Sequence, residues 1–364
     1  MNSLSIEIHQ LLLDKGLAFA RYSLPGELQD QTIVSFEAHS FMHLDGLNDK
    51  QKEGFLFAPF QEDENNLSWF LPADKILRTD SDFLQMIGFL SSLPDVQVRL
   101  KKSPLTTSKN EYAQTFDLYH QALKNHKLDK AILSKVIRKE RGEEALSQIY
   151  NRLLQAYPDA FVYWIHLPHG EIWMGATPEI LLRQDEKEVQ TMALAGTQKM
   201  NHREVSEITW DEKEIEEQAY VKNYVRGLLI SSAYNFSISQ THNLQAGNLV
   251  HLCTNFSVDQ VLTRAEAFSL TEKLHPTPAV CGIPLEASKA LILEKESHSR
   301  KYYTGFLGPV GKNKMDLFVN LRCMQVYPRD FVLYVGGGIT RDSEMEKEWQ
   351  ETEAKAQTLL SVIS

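Results

Sequence analysis

Residues 316–355 decide the fold: Asp-Leu-Phe-Val-Asn-Leu-Arg-Cys-Met-Gln-Val (316–326), Tyr-Pro-Arg-Asp (327–330), Phe-Val-Leu-Tyr-Val (331–335), Gly-Gly-Gly (336–338) and, past a polar turn, Glu-Lys-Glu-Trp-Gln-Glu-Thr-Glu-Ala-Lys (346–355). The runs Asp316–Val326 and Phe331–Val335 each read as a strand, with Arg322 in the middle of the first. A four-residue connection makes such a pair antiparallel, because parallel strands need a crossover of about a dozen residues or more. A closing helix is predicted around Glu346–Ile363. Upstream, strand patterns recur at Lys130–Ile137, Phe161–Leu167, Glu171–Met174 and Val189–Leu194, and helical patterns at Tyr112–Leu123, Glu143–Ala156, Asp211–Ser232 and Pro284–Ser297. Antiparallel strands mixed with long helices predict an α+β chain rather than regular βαβ units. In the first hundred residues only apolar runs stand out, Gly54–Phe60 and Phe83–Leu93. The polar stretch Lys101–Asn110 is the best internal boundary, dividing 1–110 from 111–364 within what reads as one compact domain.

Composition narrows the function. The 364 residues carry a net charge of -10, which leaves no broad basic surface for nucleic acid or anionic lipid, although a few placed cations could still bind a small anion. Cys253, Cys281 and Cys323 are widely spaced and form no CxxC, against a disulfide scaffold or structural zinc and for a reducing compartment. Met1–Leu13 has no cationic leader and is broken by Glu7 and His9, so it does not read as a signal peptide, and no apolar run approaches a membrane span. A cytoplasmic protein is expected. Gly305, Gly308, Gly311 and Lys312 miss phosphate-loop spacing, since Phe306 and Asn313 stand where Gly and Ser or Thr are required.

Two acidic helices carry the first chemical signal. Glu214 and Glu217 are three apart, as are Glu348 and Glu351, and residues at i and i+3 share a helix face. Such pairs fit either solvated faces or, facing one another, the oxygen shell of Mg²⁺. Lys130 heads an apolar strand where burial disfavours an ammonium, so it is either a base or a lysine that snorkels to water. Glu179, between Gly175-Ala-Thr-Pro178 and Ile-Leu-Leu, suits a carboxyl kept protonated as a general acid or a simple helix start. Arg322 needs an anionic partner, internal or ligand. His275 and Gly336-Gly-Gly338 fit turns as well as a site.

The order of the motifs is more specific than any one of them. KAILSK (130–135), GATPEILL (175–182), LAGTQ (194–198), DEKEIEEQ (211–218), LHPTPAVCG (274–282), ESHSRKYYTGFLGPVG (296–311), LFVNLRC (317–323), GGGIT (336–340) and DSEMEKEWQETEAK (342–355) succeed one another. Over roughly residues 110–360 this resembles the chorismate-utilising enzymes: isochorismate, salicylate, anthranilate and aminodeoxychorismate synthases. The resemblance implies two large antiparallel sheets packed face to face, helices outside, and a central cleft for chorismate and Mg²⁺. It implies Glu217 and Glu351 as magnesium ligands, with Glu214 and Glu348 behind them holding waters. It implies Arg322 and the Leu321 backbone as the clamp for the enolpyruvyl carboxylate. Gly196, Thr197, Gly336 and Lys355 resemble the cradle for the ring carboxylate, with His275 beside the ring.

Two positions separate the branches of that family. Ala195 stands where covalent aminodeoxychorismate synthases resemble one another in having lysine. Lys130 is present, as in the water-using members, whereas anthranilate synthases lack it. The resemblance therefore implies an isochorismate synthase, an isomerase with Lys130 as base and Glu179 as acid, feeding menaquinone or a siderophore. Salicylate synthase and a silent chorismate-binding relative are the alternatives. No glutaminase subunit is expected, and a monomer is. Three departures stand out: Gln218 for a frequent histidine, Met345 for a proline and Lys301 for a glycine. Gln218 implies weaker support around the metal.

Overall fold

In a computed structural model of the chain, which describes residues 3–27, 29–44, 47, 52–96, 102–200, 204–247 and 249–363, the run expected as one strand over 316–326 is two strands. Met315–Val319 lies in one sheet and Cys323–Val326 in the other. The chain passes between them at 320–322, where Arg322 takes φ 48°, a left-handed conformation few non-glycine residues adopt. Arg322 is therefore not mid-strand but at a crossing. Leu-Phe-Val-Asn-Leu-Arg-Cys-Met-Gln-Val is strand-prone from end to end, and a hydrophobic pattern has no term for which sheet each half joins.

A second crossing runs beside the first. Ile172–Thr177 belongs to the sheet of Cys323–Val326, and Ile180–Gln184 to that of Met315–Val319. The crossings are stitched together: Val319 N–H donates to Glu179 O (2.9 Å), Ala176 N–H to Arg322 O (3.2 Å), and the Thr177 hydroxyl to Val319 O (2.6 Å). Glu179 and Arg322 are thus neighbours where these two crossings run side by side between the sheets.

Among the described residues the two large antiparallel sheets have nine and ten strands, nine along each path and one more branching off the second. The first runs Gly282–Ile283, Lys130–Glu140, Asp330–Ile339, Cys323–Val326, Ile172–Thr177, Phe161–His166, Ala18–Ser23, Gln31–Ser35, Lys75–Leu77. The second runs Phe236–Ile238, Leu249–Val258, Val189–Lys199, Ile180–Gln184, Met315–Val319, Phe306–Val310, Gly54–Ala58, Ser68–Pro72, His39–Phe41, with His242–Ala246 also on Leu249–Val258. Their facing sides share an aromatic-rich core, where Phe161 stacks on Phe318 with centroids 4.3 Å apart. Helices cover the outer sides, Glu212–Ser231 and Arg264–Leu274 on the second sheet and Ser3–Asp14, Leu146–Ala156 and Met345–Leu360 on the first. Strands covered on both faces read as unbroken apolar runs, which is why Gly54–Ala58 and Phe161–His166 show no alternation.

Strands from the first 110 residues extend an edge of each sheet, so this part is built into the same two layers. The polar stretch at 101–110 is no free linker: Thr107 N–H donates to Val136 O, Thr106 Oγ1 accepts from Arg138 N–H, and Ser108 caps the helix Lys109–Lys124. Lys101 lies outside the described residues. The apolar run Phe83–Leu93 is mostly the helix Asp80–Leu90, opened by a capping box at Thr79. Cys253, Cys281 and Cys323 are free and buried. Among the described residues no helix is long and apolar enough to cross a membrane.

Candidate active site

The crossings open onto a cavity with about 780 Å³ of space, the open solvent at its mouth included. Pro178, Glu179, Leu321 and Arg322 form one wall. Ala195, Gly196 and Thr197, with His251 opposite, form a second. Gly336-Gly-Gly338, Glu217 and Lys355 close the far side. Of the residues expected at a site, Glu179, Gly196, Thr197, Glu217, Leu321, Arg322, Gly336 and Lys355 all line this one space.

Glu179 is 3% exposed, and burial pushes its carboxyl up to about 8, against the pull of the Lys130, Arg322 and Lys355 charges. Its carboxyl is therefore held protonated at neutral pH. Arg322 is half-buried, and the water its guanidinium loses lowers it to about 10 and still leaves it cationic. Its hydrogen-bond partners are neutral, the Ala246 carbonyl at 3.2 Å and the His251 ring at 2.7 Å. A half-buried guanidinium on the cavity wall with two neutral partners keeps its charge uncompensated by an anion, a chemistry that suits a carboxylate ligand. The Leu321 N–H is already given to Val319 O at 2.9 Å, so the carboxylate clamp expected there rests on Arg322 more than on the Leu321 backbone.

The glycine run gathers the carboxylates. A Cβ on Gly338 would lie 2.6 Å from Glu217 Oε1 and 3.2 Å from Lys130 Cε, and one on Gly337 would lie 3.6 Å from both Glu348 Oε2 and Glu351 Oε1. Glu214 is placed differently, with its Cβ 3.3 Å from the position a Gly196 Cβ would take. The i, i+3 spacing puts Glu348 and Glu351 together over Gly337, whereas Glu217 lies at Gly338 and Glu214 at Gly196; of the four, Glu217 alone lines the cavity.

Three of the four carboxylates are held by lysines. Lys130 Nζ is 2.9 Å from Glu217 Oε1, Lys213 Nζ 2.8 Å from Glu348 Oε1, and Lys355 Nζ 2.7 Å from Glu351 Oε1. The Lys130 contact is an ion pair. Burial raises Glu217, but the Lys130 charge outweighs it and holds the carboxyl below its ordinary value; burial pushes Glu348 and Glu214 up. Oε2 of Glu214 and Oε2 of Glu348 are buried without a partner. Among the described residues no three His, Cys, Asp or Glu side chains already stand as a metal-ligating group. In donor chemistry and in its two orphaned oxygens the set fits a hard divalent cation, for which the lysines are competitors.

Two expectations are corrected. Lys130 does not line the cavity: it is fully buried behind Glu217, among the largest buried side chains of the protein, and does not snorkel to water. His275 does not line it either. Its Nε2 lies 3.3 Å from the Phe60 carbonyl and its ring sits edge-on to Phe306, while Ala279 and Val280 of the same motif reach the cavity. Gln218 bonds Thr254 Oγ1 at 2.8 Å, so it is spent on the sheet beneath the helix. Lys301 has φ 50°, a conformation glycine takes without strain. His251 was missed. Its strand, Leu-Val-His-Leu-Cys-Thr (249–254), carries no motif, and only pairing register brings it to the site.

A family model described as chorismate binding enzyme matches residues 75–364. The isochorismate synthase EntC of Escherichia coli K12 is 28% identical over 245 residues, 65% of this chain and 62% of that protein. The anthranilate synthase component 1 of Aquifex aeolicus is 27% identical over 241 residues, 64% of this chain and 48% of that protein. The match therefore spans about half to three-fifths of these relatives' length. The structure of MenF, the menaquinone-specific isochorismate synthase of Escherichia coli, superposes with a TM-score of 0.77 at 19% identity, covering 100% of this chain and 92% of that one, a likeness of fold.

Proposed function

The chain belongs to the chorismate-binding enzyme family, and from that premise we propose that it is an isochorismate synthase, an isomerase that adds water at C2 of chorismate with loss of the C4 hydroxyl. Relatives of near-equal identity carry different activities, so the residues must choose among them. The observation that carries the reading is a protonated carboxyl, Glu179, in the cavity wall with a buried lysine, Lys130, behind its floor. Ala195 offers no lysine for a covalent adduct.

The roles are those the family motifs imply, supported by placement for the residues that line the cavity. Arg322 holds the enolpyruvyl carboxylate; Gly196, Thr197, Gly336 and Lys355 cradle the ring carboxylate. Lys130 serves as the base: once its ammonium has given up its proton, it takes one from water as the oxygen bonds to C2. The ring double bonds shift, the C4–O bond breaks, and Glu179 gives its proton to the departing hydroxyl, which leaves as water. Proton transfer from Lys130 back to Glu179 restores the starting state, so atoms and charges balance. Glu217 and Glu351, with Glu214 and Glu348 behind them, would hold Mg²⁺, which when bound supplies positive charge at the ring carboxylate and draws electron density from the ring. The buried, free cysteines support a cytoplasmic setting. The protein acts as a single chain with no ammonia-supplying subunit.

Product analysis tests this. With chorismate, Mg²⁺ and ¹⁸O-water and without ammonium, isochorismate labelled at C2 is expected, and added ammonium should divert nothing. Salicylate with matching pyruvate would replace the reading by salicylate synthase; ammonium-dependent anthranilate would remove both. Chorismate bound but unchanged would make the protein a silent relative.

Arg322→Lys should weaken chorismate binding by roughly tenfold or more, because the planar two-pronged donor is lost although the charge stays. Unchanged affinity in equilibrium binding would reduce Arg322 to a strut for Ala246 and His251.

A further inference from the structure

A β-bulge sets two residues against one across the cavity wall. Ala195 pairs with Leu252 and Gln198 with Val250, which leaves Gly196 and Thr197 opposite His251 alone. Gly196 makes the bulge with φ 71°. His251 is 8% exposed, and its two ring nitrogens face different partners. Nε2 is 2.7 Å from Arg322 Nη2, while Nδ1 is 2.9 Å from the Gly196 carbonyl and 3.2 Å from Thr197 Oγ1.

Those partners fix the tautomer. A guanidinium has donors only, so Nε2 must accept, and the single proton of the neutral ring is left on Nδ1, where the Gly196 carbonyl takes it. Burial and the Arg322 charge push the ring down to about 3, so it stays neutral. Apart from this ring, the guanidinium bonds the Ala246 carbonyl, at the longer distance of 3.2 Å.

We propose that His251 is a positioning residue: through its Nδ1–H tautomer it ties the Gly196–Thr197 bulge to the Arg322 guanidinium and so sets the spacing of the two anion-binding walls. The inference rests on the isochorismate synthase reading and deepens it, since chorismate carries two carboxylates and this link gauges the distance between their seats. His251 moves no proton in the reaction; it acts through Arg322 and through the bulge.

The test combines kinetics with a signal that needs no substrate. His251→Leu, which keeps apolar bulk and loses both bonds, should raise KM for chorismate roughly tenfold while kcat changes little, the pattern of lost binding rather than lost chemistry. His251→Gln, whose side-chain oxygen reaches toward Arg322, should recover part of the loss. In an Arg322→Lys background, His251→Leu should add almost nothing, because its effect runs through the missing fork. Full additivity in that cycle, or a fall in kcat at constant KM, would overturn the proposal. Nitrogen-15 shifts of the His251 ring in the substrate-free protein should show Nδ1 protonated and Nε2 accepting; the opposite tautomer would also overturn it. A wild type with that tautomer but no turnover of chorismate would overturn the functional reading and the positioning role with it, leaving only the hydrogen-bonded link.

Discussion

Glu179→Gln should lose roughly two to four orders of magnitude in turnover, the usual worth of a general acid, and remain folded. The fold survives because the wild-type side chain is 3% exposed and, with its carboxyl pushed up to about 8, neutral at pH 7. Glutamine replaces one neutral, similarly shaped group by another. The same shift fixes two pH dependences. Turnover by the wild type should fall as pH rises through about 8, where the acid is titrated away. A carboxyl whose folded value is raised above 4.5 contributes stability that is fully present below 4.5 and lost as pH rises through about 8. The variant has no such group to ionise, so its melting temperature relative to wild type should improve between pH 6 and pH 9. Thermal melts at the two pH values and a pH–rate profile check both. A glutamine variant with near-normal rate would leave the departing hydroxyl without this acid and move Glu179 into a purely structural role.

Lys130→Met should abolish isochorismate formation and also destabilise the protein. Methionine fills much of the space of a side chain that is fully buried, where alanine would open a hole behind Glu217. What methionine cannot supply is charge. Glu217 has its counter-ion at 2.9 Å in Lys130, and removing one partner of such a pair costs about 3 kcal/mol, the low end for buried pairs because the Glu217 side chain keeps 16% of its surface exposed. Mg²⁺ should restore more stability to the variant than to wild type, since the cation no longer competes with an ammonium for Glu217. Equal magnesium effects on the two melting curves would count against Glu217 as a ligand. Isochorismate made at close to the wild-type rate would show that another group takes the proton from water.

Some of the site was legible because local geometry alone sets it. Glu214 with Glu217, and Glu348 with Glu351, share a helix face by spacing; Glu217 of the first pair lines the cavity, and Glu348 and Glu351 of the second lie over Gly337. The glycines at 336–338 announce a close approach, and the structure shows Glu217, Glu348 and Glu351 over them. Strand and helix types were readable from apolar pattern, with limits that moved by a few residues, as at the helix Leu146–Ala156, expected from Glu143.

Long-range register was not legible. The sequence by itself determined the kinds of element, their order and which residues share a face, since each of these depends on near neighbours. Only the tertiary structure decided that 316–326 divides between two sheets, that Glu179 and Arg322 meet where both crossings leave them, and that His275 turns to Phe60. It alone set His251 against a bulge at 196–197 and paired Lys130 with Glu217 and Lys213 with Glu348, contacts 87 and 135 residues apart in the chain. The physical reason is that a hydrophobic pattern says that a face is buried but not against what, and a buried charge has to find its partner wherever strand pairing and helix packing bring one within reach.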